Sequence, residues 1–270
     1  MARLPAVFFG HGSPTVALED SDVTRAWREL ALEIGRPKAI LAISAHWLTR
    51  GVGVTAMARP KTIHDFGRSL PAPLFDVQYP APGDPALAAR VRDLLAPTPV
   101  ALDQDHWGLD HGTWSVLCKA YPEADVPVVQ LSMDATKPPA WHFQVGQRLA
   151  PLRDEGVLIV GSGNVVHNLG VMSWEGRHAE PYDWAVRFNV AMRAAIDADA
   201  AQTVIDYAKL GQDAALSVAD PDHFWPLLYV LGARAPAEPV RFFNEGYEFK
   251  SLSMMSVLVG PAEAHASVAA

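Results

Sequence analysis

Short apolar runs alternate along this chain with amphipathic stretches of helical period. The apolar runs predict strands at Ala6–Phe9, Ala39–Ser44, Val52–Met57, Val126–Leu131, Val157–Val160, Val240–Phe243 and Ser253–Val259. The amphipathic stretches, several of them opened by Pro or by a capping Asp, Ser or Thr, predict helices at Asp22–Ile34, Pro85–Leu95, Thr113–Tyr121, Pro138–Leu152, Tyr182–Asp197 and Phe224–Leu231. This order is typical of an α/β fold in which helices flank a central mixed sheet.

Length and composition favour a single domain. The chain has 270 residues, about half of them hydrophobic, and no Gly/Ser-rich stretch or run of charge marks an internal boundary. We therefore predict one domain over residues 1–260. The Ala-rich end, residues 261–270, offers nothing to bury and is expected to be a disordered tail that contains His265.

Charge and cysteine content exclude several kinds of partner and site. The 22 basic and 30 acidic residues give a formal net charge of -8, and no Lys/Arg cluster is longer than a pair. We therefore expect a small-molecule substrate, with neither nucleic acid nor a membrane as partner. The single cysteine, Cys118, excludes an internal disulfide and a cysteine-based zinc site, so any metal must be held by nitrogen and oxygen ligands.

The sequence also predicts a cytoplasmic protein. The apolar stretch at the N-terminus is too short for a signal peptide, and no run approaches the ~18 apolar residues of a membrane span.

Five of the ten histidines lie in short phrases rich in Gly, Trp, Pro and Asn. The phrases are Gly10-His11-Gly12-Ser13-Pro14, Ser44-Ala45-His46-Trp47, Asp110-His111-Gly112-Thr113-Trp114, Val166-His167-Asn168-Leu169 and Asp222-His223-Phe224-Trp225-Pro226. His11, His46 and His167 follow strand candidates, at the carboxyl ends where open α/β sheets build ligand sites. His111 and His223 stand at the beginnings of predicted helices. Because neutral imidazole binds transition metals and transfers protons near neutral pH, these five predict a metal-centred active site.

The other histidines carry a weaker signal. A single histidine is more often a hydrogen-bonded structural residue than a ligand, so no function is assigned to His64, His106, His142 and His178. Of these, His106 could position a neighbour, and His178 is expected to be exposed to solvent.

Eight phrases, spread from the first strand almost to the end of the chain, carry a family resemblance. They are Phe8-Phe9-Gly10-His11-Gly12-Ser13-Pro14, Ile43-Ser44-Ala45-His46-Trp47, Thr62-Ile63-His64-Asp65-Phe66, Tyr79-Pro80-Ala81-Pro82-Gly83, Gly108-Leu109-Asp110-His111-Gly112-Thr113-Trp114, Gly161-Ser162-Gly163-Asn164 leading to His167-Asn168-Leu169, Asp222-His223-Phe224-Trp225-Pro226-Leu227, and Ser251-Leu252-Ser253-Met254-Met255-Ser256. In this order they resemble the LigB-type (class III) extradiol ring-cleaving dioxygenases, most closely the 4,5-DOPA dioxygenase extradiol branch.

The resemblance implies a mononuclear non-haem Fe(II) enzyme that inserts both atoms of O2 into a catechol and opens its ring. It assigns His11 and His46 as two metal ligands. The third ligand is a carboxylate in the protocatechuate-cleaving members, but the corresponding segment here offers His223. Asp222 and Glu245 are the carboxylate alternatives. An all-histidine site also suits Zn(II), which is therefore possible as the bound ion, and His167 is a candidate fourth ligand.

The resemblance also implies catalytic roles and an assembly. His167 is similar to the family's base, which takes a proton from the catechol hydroxyl, and an ordinary histidine pKa suits that task. His111 is similar to the residue that hydrogen-bonds dioxygen or a substrate oxygen. A homodimer is common in the family and is possible here.

One departure from the family bears on substrate choice. The phrase His-Asp-Phe is usually followed by Gly-Gly-Phe-Pro, whereas this chain has Gly67-Arg68-Ser69-Leu70-Pro71. Arg68 could pair with a substrate carboxylate or could simply be solvated. The sequence does not choose among DOPA, caffeate, protocatechuate, gallate and other catechols.

Two other functions use the same residues. A zinc-dependent hydrolase would activate a metal-bound water with these imidazoles, although no His-Glu-x-x-His phrase supplies a base. A non-enzymatic binding protein on the same fold is the second alternative, because the superfamily includes a signalling scaffold that lost the dioxygenase role. Retention of all five histidine phrases speaks against that loss.

Overall fold

The computed structural model of the protein describes residues 3–261. The strands in this part of the chain are β1 (Ala6–Gly10), β2 (Ala39–Thr49), β3 (Val52–Thr55), β4 (Val100–Asp103), β5 (Val128–Asp134), β6 (Val157–Gly163), β7 (Val240–Phe243), β8 (Tyr247–Glu248), β9 (Leu252–Ser253) and β10 (Ser256–Val259). The α-helices are α1 (Asp22–Ile34), α2 (Pro85–Leu95), α3 (His111–Ala120), α4 (Pro139–Leu149), α5 (Asp183–Asp197), α6 (Ala201–Ile205), α7 (Gln212–Ser217) and α8 (Trp225–Gly232). Short 3-10 helices lie at Pro14–Leu18, Ala72–Asp76, Ala150–Arg153, Leu169–Val171, Tyr207–Leu210 and Pro221–His223.

Eight strands form one mixed sheet in the order β4-β3-β5-β2-β6-β1-β10-β7. The central strands β5, β2, β6 and β1 are parallel, so their carboxyl ends meet at one edge of the sheet. Strand β10 is antiparallel to β1 and β7, and β3 is antiparallel to β5. Strands β8 and β9 form a separate pair. The predicted α/β fold with a mixed sheet is confirmed.

Helices cover both faces of the large sheet. Alternate side chains of β1 enter opposite cores, with Ala6 and Phe8 on one face and Val7 and Phe9 on the other. The core around Phe8 is closed by α2, α4, α5 and α8, and the core around Phe9 is closed by α1 and α3. Burial on both faces explains why these strands have continuous apolar sequences.

The predicted elements differ from the observed ones mainly at their ends. Helices α1 and α2 begin and end as predicted, and the side chains of Ser21 and Asp84 cap them. The predicted strand at Ser253–Val259 is interrupted between β9 and β10. Strands β4 and β8 and helices α6 and α7 were not predicted. Strand β4 is only partly buried, and α6 and α7 have five and six residues, too few for a clear helical period.

No helix among residues 3–261 is long and apolar enough to cross a membrane. The tail predicted at residues 261–270, with His265, lies outside the described residues except for Pro261.

Candidate active site

Adjacent parallel strands bring the first histidine to the carboxyl edge of the sheet. Gly10, the last residue of β1, pairs with Gly163, the last residue of β6. The next residue, His11, donates its backbone N–H to the carbonyl of Gly163 at 3.0 Å. His11 is 1 % exposed, so its ring lies within the protein at the end of β1, as the sequence predicts.

His46 lies inside β2 and not after it. The strand continues to Thr49, and its register against β5 shifts between Ile43 and Leu48. The predicted end at Ser44 is therefore wrong, because polar Ser44 and His46 interrupt the apolar run while the backbone remains extended. Irregularities of this kind redirect side chains and are common next to active sites.

Helix α3 brings His111 close to His46. His111 is the first residue of the helix, and the side chain of Asp110 caps it by accepting the N–H of Thr113 at 3.2 Å. A Cβ atom on Gly112 would lie 2.8 Å from Cδ2 of His46. The glycine therefore allows the close approach that leaves the two imidazole centroids 3.7 Å apart.

His223 and His167 come from a short 3-10 helix and from a loop. His223 ends the 3-10 helix before α8, and its carbonyl accepts the N–H of Asn164 at 2.8 Å. His167 lies in the loop after β6, where its N–H donates to the carbonyl of Ser217 at 2.8 Å. The two rings stack with centroids 3.5 Å apart and planes within 3°. Together these approaches bring the five predicted histidines into one cluster.

Gly163 is required for the position of His223. A Cβ atom at Gly163 would lie 2.1 Å from the carbonyl oxygen of His223, so Gly163→Ala must push the two segments apart. We expect the variant to lose about 1–3 kcal/mol of unfolding free energy and to bind metal more weakly. Urea unfolding and metal titration check this. Gly246→Ala is the matched control, since its Cβ would meet nothing within 4 Å; equal behaviour of the two variants would contradict the expectation.

Three of the histidines form a candidate metal centre. One ring nitrogen from each of His11, His46 and His223 lies within 4.8 Å of the other two. Nε2 of His11 is 3.2 Å from Nε2 of His46. Two nitrogens bound to one ion at about 2.1 Å are roughly 3 to 3.4 Å apart, so this spacing fits a shared transition metal. The group contains no carboxylate.

Ser162 fixes the tautomer of His11. Its hydroxyl donates to the carbonyl of Gly112 at 2.6 Å, so its oxygen accepts a hydrogen bond from Nδ1 of His11 at 2.9 Å. With the proton on Nδ1, Nε2 presents a lone pair toward His46, the arrangement expected of a metal-ligating histidine. Ser162 lies in the phrase Gly161-Ser162-Gly163-Asn164, but the sequence gives no signal of this contact.

Burial keeps two of the candidate ligands, His11 and His46, neutral. The pKa values of His11 and His46 lie well below the ordinary value, first because the rings are buried and then because the other histidines of the cluster would repel a charge. Neutral imidazole is the form that binds metal.

The pKa of His167 differs from the value expected from the sequence. Burial, followed by the proximity of His223, lowers the pKa of His167 to about 3, although Asp222 acts in the opposite direction. An ordinary pKa is therefore the wrong expectation for the metal-free protein. The ring also lies parallel to that of His223, and an imidazole lone pair lies in its ring plane. In this arrangement the two rings do not direct lone pairs at one shared position, so ligation by His167 requires the ring to turn.

The carboxylate alternatives lie in different environments. Asp222 accepts the backbone N–H of His223 at 2.8 Å, and its Oδ1 is 3.1 Å from Nδ1 of the same residue. Burial opposes ionisation of Asp222, but hydrogen bonding from His223 prevails and lowers the pKa of the carboxyl. Glu245 instead pairs with Arg193 at 2.7 Å, with both side chains 44 % exposed.

Asp65 is a site residue whose role the sequence did not reveal. Its carboxylate accepts hydrogen bonds from the backbone and the ring of His111, and it lies 3.9 Å from Nδ1 of His46. The residue belongs to the phrase Thr62–Phe66, but its separation from His111 along the chain hides the contact.

The remaining described histidines and Arg68 lie outside the cluster of five histidines. His64 contacts the carbonyl of Val77 at 3.0 Å, and His106 is exposed beside Asp103. His178 is exposed, as predicted. Arg68 is exposed too, and it forms no ion pair with any residue in the described range.

His142 is buried against α8. We expect its protonation to lower the free energy of unfolding in acid. Its Nδ1 contacts the Tyr229 hydroxyl at 2.9 Å, and burial lowers the pKa of His142 to about 4. Because the folded value is below the unfolded value, the unfolded chain binds more protons. The lowered pKa of His142 therefore contributes about 3 kcal/mol to the free energy of unfolding above pH 6.5. This contribution is lost as the pH falls from 6.5 through 4.

Urea unfolding across that pH range checks the effect. His142→Gln, which cannot titrate, is expected to show a shallower decline of unfolding free energy than the wild type. His178→Gln is the control for an exposed histidine and should decline like the wild type. A decline in His142→Gln as steep as in the wild type would contradict the expectation.

The family of this chain follows from its similarity to known proteins. Residues 5–260 match the catalytic LigB subunit of aromatic ring-opening dioxygenase. The chain belongs to the LigB family. The LigB-family protein is therefore a metal-dependent, extradiol aromatic ring-opening dioxygenase. This membership favours an oxygenase over the hydrolase and the non-enzymatic binding protein.

Relatives of this LigB-family protein cover nearly its whole length. It is 52% identical over 261 residues to 4,5-DOPA dioxygenase extradiol of Escherichia coli K12, covering 96% of this chain and 95% of that one. It is 40% identical over 248 residues to the Beta vulgaris protein of the same name, covering 89% and 91%. A crystal structure of an uncharacterised Escherichia coli K12 protein has a TM-score of 0.83 at 48% identity, covering 96% of this chain and 100% of that chain.

Proposed function

We propose that this protein binds Fe(II) through His11, His46 and His223 and uses O2 to open the ring of a catechol. The observation that carries the proposal is the group of three close ring nitrogens, two of them on histidines that burial keeps neutral. Zn(II) fits the same nitrogens, so the ion in a purified sample need not be the catalytic one.

The donor set suits a reaction with two substrates. An ion held by His11, His46 and His223 alone would still have coordination positions free for small-molecule oxygen ligands. Bound Fe(II) would supply the redox chemistry by which O2 reacts with the ring. The protein's own task is then to orient the catechol and to move its protons.

His167 is the candidate base of the reaction. Its neutral ring can accept a proton from the catechol hydroxyl, and its stacking on His223 places it next to the candidate metal centre. The negative charge of a bound catechol would favour the protonated ring, which could later return the proton.

His111 is the candidate partner of the reacting oxygen. Asp65 contacts its Nδ1 at 2.9 Å, and with the ring proton on Nδ1 the Nε2 atom has a lone pair that can accept a hydrogen bond from a substrate hydroxyl. The edge-on contact with Phe66, at 5.4 Å between centroids, limits the movement of the ring.

The substrate is proposed to be DOPA or a catechol like it. The support is the name 4,5-DOPA dioxygenase extradiol, which relatives from Escherichia coli and Beta vulgaris share. The exposure of Arg68 favours solvation over a role in the pocket. Arg68→Ala should therefore leave the KM for acidic catechols unchanged.

Anaerobic reconstitution tests the proposed function. Metal-free protein is loaded with Fe(II), and air is then admitted with DOPA, caffeate, protocatechuate or unsubstituted catechol. We expect a yellow ring-opened semialdehyde from DOPA and little or none from the Zn(II)-loaded control. Absence of ring opening with every catechol, together with ester or amide hydrolysis by the Zn(II) form, would overturn the proposal.

A further inference from the structure

The carboxylate of Asp65 contacts His111 at two points. Oδ1 of Asp65 accepts the backbone N–H of His111 at 2.8 Å, and Oδ2 contacts the ring Nδ1 at 2.9 Å. The side chains are 14% and 8% exposed, so water competes little for these bonds. Because an ionised carboxylate only accepts hydrogen bonds, the ring must carry a proton on Nδ1.

The same oxygen faces a second histidine. Oδ2 of Asp65 lies 3.9 Å from Nδ1 of His46, whose Nε2 points toward His11. A histidine that ligates through Nε2 carries its proton on Nδ1, and a nearby carboxylate commonly orients it. Asp65 is thus the acidic group shared by a candidate ligand and the candidate oxygen partner.

We propose that Asp65 is a positioning residue of the active site, which fixes the Nδ1–H tautomer of His111. Its consequence for the reaction rests on the proposed function, but the tautomer itself does not. Without the carboxylate, the proton on the His111 ring is free to move to Nε2. Nε2 of the neutral ring would then carry the proton and could no longer accept a hydrogen bond from a substrate hydroxyl.

Asp65→Asn separates this role from simple space filling. The backbone N–H of His111 is a fixed donor, so the amide oxygen of the new side chain must face it. The amide NH2 then faces Nδ1 of His111 as a donor, where the carboxylate had accepted. The variant keeps the shape of Asp65 and reverses the tautomer of the ring.

Nuclear magnetic resonance of metal-free protein with isotope-labelled histidine reads the tautomer directly. The signals of His111 are assigned by their loss in His111→Gln. We expect Nδ1–H in the wild type and Nε2–H in Asp65→Asn. Asp222→Asn is the matched control, because Asp222 makes a similar double contact with His223 and none with His111; His111 should keep Nδ1–H in that variant.

The kinetic readout is a split between kcat and KM. In the Fe(II) enzyme we expect Asp65→Asn to lower kcat by about 10- to 100-fold with little change in KM for the catechol. An Nε2–H tautomer of His111 in the wild type would overturn the proposal, even if the variant does not fold. An unchanged tautomer or an unchanged kcat in a folded Asp65→Asn would overturn it as well. Failure of the proposed function would instead appear as absence of ring opening in the wild type, with the tautomers as expected.

Discussion

His223→Ala is expected to bind metal at least about 100-fold more weakly than the wild type and to open no catechol ring. The variant removes one of only three ring nitrogens in the candidate metal centre, and no carboxylate belongs to that group. Asp222 lies beside the lost ring, but its Oδ1 is committed to the backbone N–H of the same residue. Metal titration by calorimetry, with circular dichroism to verify folding, measures the effect.

The control for this variant is another histidine. His106→Ala removes an imidazole whose side chain is 91% exposed, and it should bind metal like the wild type. Wild-type metal affinity in His223→Ala would show that the third ligand is another residue. Asp222 would then be the first carboxylate to test.

His167→Gln is expected to keep its metal and to lose about 100- to 10,000-fold in kcat, the usual contribution of a general base. The ring of His167 lies parallel to that of His223 and beside the candidate metal centre, so removing it should leave three nitrogens in place. Glutamine retains a polar side chain of similar reach but takes no proton near neutral pH. Metal content and steady-state kinetics on the same Fe(II)-loaded sample separate the two properties.

The opposite pattern would change the assignment. Loss of metal in His167→Gln as large as in His223→Ala would make His167 a fourth ligand whose ring turns on metal binding. Unchanged kcat with full metal content would remove it as the base.

The fold could be predicted where local signals agree with the tertiary structure. Helix α1 has its capping residue Ser21 and an amphipathic pattern, and its bounds follow from the sequence. Strand β4 has an apolar run of only three residues, and it is not fully buried because it lies at the edge of the sheet. Its existence depends on pairing with β3, which is a contact that the local sequence does not encode.

The candidate site could be predicted in its members but not in its geometry. The phrases around His11 and His223 mark both residues, yet nothing local shows that their rings lie 5.3 Å apart. The irregular part of β2 that redirects His46 is equally hidden, since it depends on the register with β5. Ser162 and Asp65 were missed as functional residues because their partners are distant along the chain.

We propose that the three-histidine centre inserts both atoms of O2 into a catechol ring. The most direct measurement follows O2 consumption and product mass during turnover of DOPA by the Fe(II)-loaded wild type. We expect one O2 to be consumed per catechol and a product whose mass is that of the catechol plus both oxygen atoms. A product that lacks the added oxygen atoms, such as a quinone, or unchanged catechol with no O2 uptake, would contradict it.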